Sequence, residues 1–308
     1  MGGGGPVIDI DSYLTIVALE DGLTAALSGN TIEYCVDGDG DWKSLKSNVV
    51  STSINQGQTL SFRGNLTPNS STGIGRFTIS KSCDLSGNCN SLLFGDDAVN
   101  NNSLSGKDYA FKYLFDNCTT IRNISSNFLP ATTLAQYCYT GMFQRCTSLT
   151  TAPELPATTL IDVCYNSMFK YCSSLTTAPS VLPATTLTLN CYNGMFYGCS
   201  KLTTAPQLPA TTLAQGCYQY MFYQCTSLTT APELTATTLK SGCYSYMFYG
   251  CSKLNYIKAM FTTKPTSTYT NSWVLGVSDK GTFVKNKNAT WDVTGYNGVP
   301  SGWTVQTA

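Results

Sequence analysis

The side chains most able to do chemistry in this 308-residue chain are its 14 cysteines, because the sequence has no histidine. Without histidine there is no Ser-His-Asp or Cys-His catalytic set and no histidine-containing metal site. Ten cysteines recur in pairs eight residues apart, such as Cys138 and Cys146. On one helix such a pair is about 12 Å apart, too far for a disulfide or for shared zinc ligation. We therefore predict that the ten are free thiols packed as small apolar core residues.

Two other segments contain residues that could form a disulfide or bind a metal. Cys83 and Cys89 flank a turn, so both a disulfide between them and two free thiols are compatible with the sequence. Residues 37–41 read Asp-Gly-Asp-Gly-Asp and resemble the start of an EF-hand calcium loop. That loop needs Gly at its sixth position and Glu at its twelfth, where this chain has Trp42 and Asn48. We therefore predict an Asp/Gly hairpin turn and no metal site.

No residues of the chain pair a nucleophile with a base, so we expect a protein that is not an enzyme, and we expect no cofactor. Glu154 and Glu233 are isolated carboxylates in different copies of the sequence repeat described below, so they do not form an acid–base pair. The chain has 18 Lys+Arg and 18 Asp+Glu, so the basic surface of a nucleic-acid-binding protein is not expected. No apolar run approaches the ~20 residues of a membrane span, and no membrane insertion is expected.

These cysteines belong to an internal repeat that dominates the sequence. The motif Leu-Pro-Ala-Thr-Thr-Leu recurs at steps of 26, 27 and 26 residues, and a Leu-Thr variant follows 26 residues later. Each copy continues Cys-Tyr-x-x-Met-Phe-x-x-Cys-x-x-Leu, and a degenerate copy with Phe111, Phe115 and Cys118 precedes the array. The five complete copies begin at Leu129, Leu155, Leu182, Leu208 and Leu234.

The spacing within one repeat predicts a helix followed by a short strand. Leu134, Cys138, Met142 and Cys146 are four residues apart, which favours an apolar stripe along a helix of about three turns. Residues 149–152 then suit a short strand, which the following prolines end. Such a unit cannot bury its apolar face alone, so we expect the repeats to stack side by side as a solenoid with a continuous core.

The pattern Phe-x-x-Cys-x-x-Leu-x-x-(apolar)-x-x-Leu-Pro over residues 104–257 resembles the leucine-rich repeats of the BspA type. The Cys-Tyr-x-x-Met-Phe variant is similar to a subgroup from gut Bacteroidales and their phages. So are the C-terminal segments Gly-Thr-Phe-Val (281–284), Trp-Asp-Val-Thr-Gly (291–295) and Gly-Val-Pro-x-Gly-Trp (298–303). The resemblance implies a curved array with strands on its concave side, and binding to proteins or surfaces rather than catalysis. Ala-Pro stands where many members have a β-branched residue, so we expect a narrow concave sheet.

The whole chain is therefore expected to be an α/β leucine-rich-repeat solenoid, with about five 26-residue repeats and one degenerate repeat, flanked by two β-rich regions. Short alternating segments separated by turns predict a small β-sandwich-like N-terminal domain. The expected divisions are a flexible N-terminus (1–6), the sandwich (7–100), a degenerate capping repeat (101–128), the leucine-rich repeats (129–254) and a C-terminal β-rich cap (255–308).

Two sets of repeated side chains are candidate binding surfaces. Thr-Thr pairs beginning at Thr150, Thr176, Thr203 and Thr229 should stack as columns, but they are nearly identical from repeat to repeat. The outward helix position varies, and it reads Gln144, Lys170, Tyr197, Tyr223 and Tyr249. We predict that a ligand binds Tyr197, Tyr223 and Tyr249, flanked by Tyr220 and Tyr246. The alternative is that these rings only stack on each other and cover the helices.

These features predict a non-enzymatic adhesion or recognition protein, extracellular or on the cell surface. Its expected partner is a host or bacterial surface protein or glycan. Residues 1–6 have neither the basic nor the apolar region of a signal peptide. Either an artificial addition has replaced the signal, or the protein leaves its cell by another route. The second possibility favours an alternative function, a structural virion component such as a phage tail or fibre protein that contacts the bacterial host surface.

Overall fold

The structure is a computed structural model, and it describes residues 7–308. The expected flexible N-terminus, residues 1–6, lies outside the described residues. The N-terminal region has seven strands and a single turn of α-helix, α1 (Ser91–Phe94), with short 3₁₀ segments at Ile10–Ser12 and Gly95–Asn100. The strands are β1 (Leu14–Ala18), β2 (Ala25–Leu27), β3 (Ile32–Val36), β4 (Lys43–Leu45), β5 (Thr59–Arg63), β6 (Phe77–Ile79) and β7 (Cys83–Ser86).

Five of these strands join one six-stranded sheet, and the other two form a second, two-stranded sheet. With β8 (Ile121–Ile124) as its sixth strand, the larger sheet has the order β4-β3-β5-β1-β7-β8, while β2 and β6 pair separately. The last strand, β8 (Ile121–Ile124), comes from the degenerate repeat and lies parallel to β7. Leu85, Ile121 and Ile124 are all buried along this pair, so apolar burial draws the degenerate repeat into the sheet. The domain boundaries themselves stay predictions.

The repeat region corrects the expected fold class, because α-helix is missing from residues 101–254. Among residues 7–308, α-helix is confined to α1 and to α2 (Ser267–Thr270), each of four residues. Strands together with isolated β-bridge residues account for 20% of the structure, and helices of all kinds for 6%. The predicted α/β leucine-rich-repeat solenoid, with a helix in every repeat, is therefore wrong.

Consecutive tight turns occupy the place of the expected helix. The N–H groups of Met142 and Cys146 donate to carbonyls three residues earlier, at 3.2 and 3.1 Å. The N–H groups of alternate residues bond to the next repeat instead: Tyr139 donates to the carbonyl of Cys164 at 2.9 Å, and Phe143 to that of Met168 at 3.0 Å. An α-helix would use all these groups internally. Here half of them join each repeat to the next.

A left-handed residue at every fourth position makes this arrangement possible. Tyr137, Gly141 and Arg145 have φ of 57°, 58° and 61°, which an α-helix cannot contain. Later repeats often place Gly at these positions, where it is least strained. At Gly216 a Cβ would also collide with Asn190 Oδ1 of the preceding repeat. The four-residue apolar spacing therefore reflects a turn with a period of four, not a helix with a period of 3.6.

The core of the repeats consists of columns of identical side chains. Consecutive tyrosines of the Cys-Tyr motif stack nearly parallel with ring centroids 5.6–6.0 Å apart, and the phenylalanines of the Met-Phe motif stack at 5.7–5.8 Å. These tyrosines are Tyr139, Tyr165, Tyr192, Tyr218 and Tyr244, and the phenylalanines are Phe143, Phe169, Phe196, Phe222 and Phe248. All ten rings are buried. The repeat thus builds a continuous aromatic core from neighbouring copies of one motif.

The expected strand of each repeat is reduced to single residues. Thr151, Thr177 and Thr204 pair with one another as isolated parallel β-bridges. Between β8 and residue 255, the described chain contains no strand longer than such a bridge. After the repeats, β9 (Tyr256–Ala259), β10 (Thr282–Lys285) and β11 (Thr304–Thr307) form a parallel sheet in the order β11-β10-β9. Trp273 is fully buried and closes the end of the aromatic core against Tyr244, at 6.1 Å between ring centroids.

A buried carboxylate joins the N-terminal region to the first complete repeat. The side chain of Asp116 is 2% exposed and pairs with Arg76 at 2.9 Å and with Arg145 at 2.7 Å. Arg145 also donates through its Nε, so this pair has two parallel hydrogen bonds. Because a buried carboxylate is costly without partners, the two guanidinium groups fix the position of this junction.

Candidate binding surface

The cysteines, which were the first candidates for chemistry, are all free and buried. The predicted burial of the ten repeat cysteines is confirmed, although they lie on stacked turns and not on helices. The thiol of Cys146 donates to the carbonyl of Phe115 at 3.2 Å, and its equivalents make the same bond at 3.0–3.2 Å. Burial raises the pKa of Cys138 to about 12 and that of Cys243 to about 11. A thiol with such a pKa is a poor nucleophile at neutral pH.

The other candidate groups also have structural surroundings. Cys83 and Cys89 are separate, buried thiols, so the structure does not form the disulfide between them. Strands β3 and β4 pair antiparallel on either side of residues 37–41, which confirms the predicted Asp/Gly hairpin turn. Glu154 accepts hydrogen bonds from Ser180, and Glu233 pairs with Lys258 at 2.9 Å. Residues 7–308 contain no cluster of three or more His, Cys, Asp or Glu side chains suited to a metal ion.

The structure brings together all five tyrosines predicted to bind a ligand. Tyr197, Tyr223 and Tyr249 form a row, with ring centroids 4.4 and 4.7 Å apart and nearly parallel planes. Tyr220 and Tyr246 form a second stacked pair at 4.8 Å. The two rows touch, since Tyr220 lies 5.9 Å from Tyr223 and Tyr246 lies 6.2 Å from Tyr249. All five rings are half-buried, and we call this group the tyrosine patch.

The tyrosine patch has two further neighbours: Tyr171, which the sequence analysis missed, and Lys170, which it named only as one residue of the variable outward position. Tyr171 is 43% exposed and meets Tyr197 edge-on at 5.2 Å. Lys170 places its Nζ 4.6 Å from the ring centre of Tyr197 and 5.3 Å from that of Tyr171. The sequence held a signal for Tyr171, because the equivalent residue in the next repeat is Gly198. A Cβ at Gly198 would lie 2.6 Å from the Tyr171 ring, so its absence gives that ring space.

The stacking decides which atoms of the patch a ligand can reach. At 4.4–4.7 Å between ring centres, both faces of Tyr223 are covered by its neighbours. Ring edges and hydroxyls are therefore the groups available to a ligand. Burial raises the pKa of Tyr197 and of Tyr220 above the usual tyrosine value. Both phenols are thus neutral at physiological pH, and each hydroxyl can donate and accept hydrogen bonds.

The threonine columns form a separate exposed surface. Thr176, Thr177, Thr203 and Thr204 are exposed and line a shallow groove of about 520 Å³ with Pro179. The hydroxyl of Thr176 donates to the carbonyl of Thr150 at 3.2 Å, so part of the column's bonding capacity is used between repeats. The threonine positions are the same from repeat to repeat, whereas the tyrosine patch is confined to one end of the array.

Comparisons with known proteins add no information about this surface. No helix in residues 7–308 has the length and apolar character needed to cross a bilayer. No protein-family model, no curated protein and no solved structure matches the chain.

Proposed function

We propose that this chain is a non-enzymatic adhesion or recognition protein that acts outside the cell or at the cell surface. Its partner is a host or bacterial surface protein or glycan, and the tyrosine patch is the site of contact. The observation that carries the proposal is the packing of five half-buried tyrosines from three successive repeats into one continuous surface. A recognition protein needs such a distinctive patch.

The structure of the patch supports binding in a second way, because its rings are held in place before a partner arrives. Each tyrosine stacks on an equivalent tyrosine of a neighbouring repeat, and Tyr246 also accepts a hydrogen bond from Asn271 at 2.8 Å. Ordering side chains on binding costs about 0.5–1.5 kcal/mol for each rotamer-rich group. A stacked tyrosine has already lost that freedom, so less of the contact energy is spent on ordering.

The variation between repeats favours the tyrosine patch over the threonine groove. Along the array, the same outward position is Gln144, then Lys170, and then tyrosine three times. The corresponding threonine positions stay constant. Selection for stacking alone would suit identical residues in every repeat, whereas a change confined to one end suits a localised contact.

Replacing Tyr197, Tyr223 and Tyr249 together with Ser is expected to weaken partner binding by a factor of about a hundred or more, because each aromatic anchor at a hot spot contributes about 1–2 kcal/mol. The measurement is binding of the intact chain to an array of glycans, host surface proteins and whole bacterial cells. Binding to bacterial cells alone is the outcome that the alternative function, a phage tail or fibre protein, predicts.

The matched control changes Thr150, Thr176, Thr203 and Thr229 to Ser, which keeps the hydroxyls of the threonine column and removes only methyl groups. This variant should bind like the unaltered chain. Urea unfolding of both variants checks that the stacked turns still form. If the tyrosine variant binds normally while the threonine variant fails, the contact lies in the threonine groove and the tyrosine patch is not the site.

A further inference from the structure

The tyrosine patch has a positive charge at one end and no charged group along its rows. Lys170 lies over Tyr197, the first ring of the longer row, with 4.6 Å between Nζ and the ring centre. No carboxylate in residues 7–308 lies within ion-pair distance of Lys170, whereas Lys258 on strand β9 is paired with Glu233. The Lys170 ammonium is held by aromatic rings and keeps its charge available to a ligand.

The geometry points to an anionic glycan as the ligand of the patch, with its carboxylate or sulfate at Lys170 and its sugar rings along the row toward Tyr249. This inference rests on the proposed function and specifies its partner. Neutral phenol hydroxyls can donate to and accept from sugar hydroxyls, and an ammonium group is a strong donor to an anionic oxygen. The chain therefore presents hydroxyl partners in a row and one cation at the end of that row.

A glycan suits this surface better than a protein because of the stacking. Protein hot spots depend on large side chains that insert into desolvated pockets of the partner. The faces of Tyr223 are covered on both sides, and Tyr197 has Tyr223 on one side and Lys170 near its ring. What remains for contact is a shallow line of ring edges and hydroxyls, repeated once per repeat, which matches a chain of polyhydroxylated units.

The test compares polysaccharides that share a sugar backbone and differ in whether they carry charged groups. The probes are polygalacturonate and its methyl ester, and dextran sulfate and dextran, with binding measured at low ionic strength. The unaltered chain should prefer at least one charged probe to its neutral counterpart by about three- to tenfold, the range expected for one charged contact at an exposed site. The pair that shows the preference tells whether the ligand group is a carboxylate or a sulfate.

Lys170→Gln should abolish this preference, because it installs the residue that the first repeat has at the same position, Gln144. Lys201→Gln removes an exposed lysine that makes no contact with the patch rings and should leave the preference unchanged. Equal binding of charged and neutral probes by the unaltered chain, or an undiminished preference in Lys170→Gln, overturns the inference. So does failure of both charged probes to bind.

The failure of this inference is distinguishable from failure of the proposed function. Suppose that the triple tyrosine variant no longer binds a partner found in the binding screen, while Lys170→Gln still binds it. The tyrosine patch is then the site, and the inference that its ligand is an anionic glycan is wrong. The inference of an anionic glycan is also wrong if the partner found in the binding screen is a protein. If the triple tyrosine variant still binds the charged polysaccharide, the patch itself is excluded as the site.

Discussion

Moderately alkaline solution is expected to unfold this protein, at a pH that most domains of its size tolerate. Burial raises the pKa of Cys138, Cys191 and Cys251 to about 12 in the folded chain, and that of Cys243 to about 11. An unfolded cysteine titrates near pH 8.5. A group whose pKa is raised by folding contributes its stability below the unfolded value and loses it as the pH rises toward the folded value. The loss therefore begins near pH 8.5 and continues beyond pH 10.

The number of thiols makes this loss large. At pH 10 each deeply buried thiol lowers the free energy of unfolding by about 2 kcal/mol, because the unfolded chain has released a proton that the folded chain retains. For the four thiols Cys138, Cys191, Cys243 and Cys251 the loss adds up to about 8 kcal/mol, which falls within the 5–15 kcal/mol by which a typical domain is stable. Burial also raises the pKa of the other six repeat thiols, so they add to the loss. The buried tyrosines of the core, whose pKa values are also raised by burial, add to the loss above about pH 10.

The urea midpoint, followed by tryptophan fluorescence under a reductant, should be constant up to about pH 8 and fall steeply by about pH 10. Return to neutral pH should restore the fold, which separates proton release from irreversible chemistry. A urea midpoint that does not change over this range would contradict the prediction, because it would mean that the thiols release their protons as readily in the folded chain as in the unfolded chain.

Met195→Ala is expected to destabilise the fold by about 2–5 kcal/mol, the usual range for truncating a fully buried large side chain. Met195 is completely buried in the middle repeat, and its amide and carbonyl take part in the turn and in the bond from Phe169 of the preceding repeat. A cavity at this position removes contacts with the repeats on both sides. Urea unfolding of the variant and the unaltered chain measures the difference.

Thr203→Ala is the matched control, because Thr203 is exposed and belongs to the same repeat as Met195. Its effect should be within about 0.5 kcal/mol, as for most surface substitutions. If the two substitutions lower the free energy of unfolding equally, Met195 is not part of the core or Thr203 is not on a free surface.

The sequence was sufficient for the features that depend on the repeat itself. Copies of one motif must meet their neighbours at the same position when they stack, so the burial of Cys138 and the meeting of Tyr197, Tyr223 and Tyr249 could be predicted without knowing the backbone. The hairpin at residues 37–41 was also predictable, because Asp and Gly at these spacings favour tight turns. None of these inferences needs a helix.

The backbone of the repeat was not predicted, because a spacing of four is compatible with both a helix and a series of turns. Over the short stretch from Cys138 to Cys146, the difference between a period of 3.6 and a period of four is too small to see in the apolar positions. The distinguishing signal was Gly at positions such as Gly194, Gly216 and Gly242, where a helix interior disfavours it. These glycines mark the left-handed positions that let alternate N–H groups bond to the next repeat.

Neither the exposed ring of Tyr171 nor the closeness of Lys170 to the tyrosine patch could be predicted from the repeat pattern. Both depend on how the left-handed turns orient side chains across repeats, and a helical wheel places them differently. Lys170 was recognised only as one residue of the variable column. Its position over Tyr197 comes from the direct stacking of one repeat on the next.

The claim that the tyrosine patch makes the contact is tested most directly by hydroxyl-radical oxidation, mapped by peptide mass spectrometry. The chain is oxidised alone and with a partner identified in the glycan, protein and cell binding screen. Binding at the tyrosine patch predicts that the partner protects Tyr197, Tyr223 and Tyr249 from oxidation. Tyr296, which is exposed in the C-terminal region outside the patch, should be oxidised equally in both samples. Saturated binding with no protection of the three patch tyrosines would contradict the claim that this surface makes the contact.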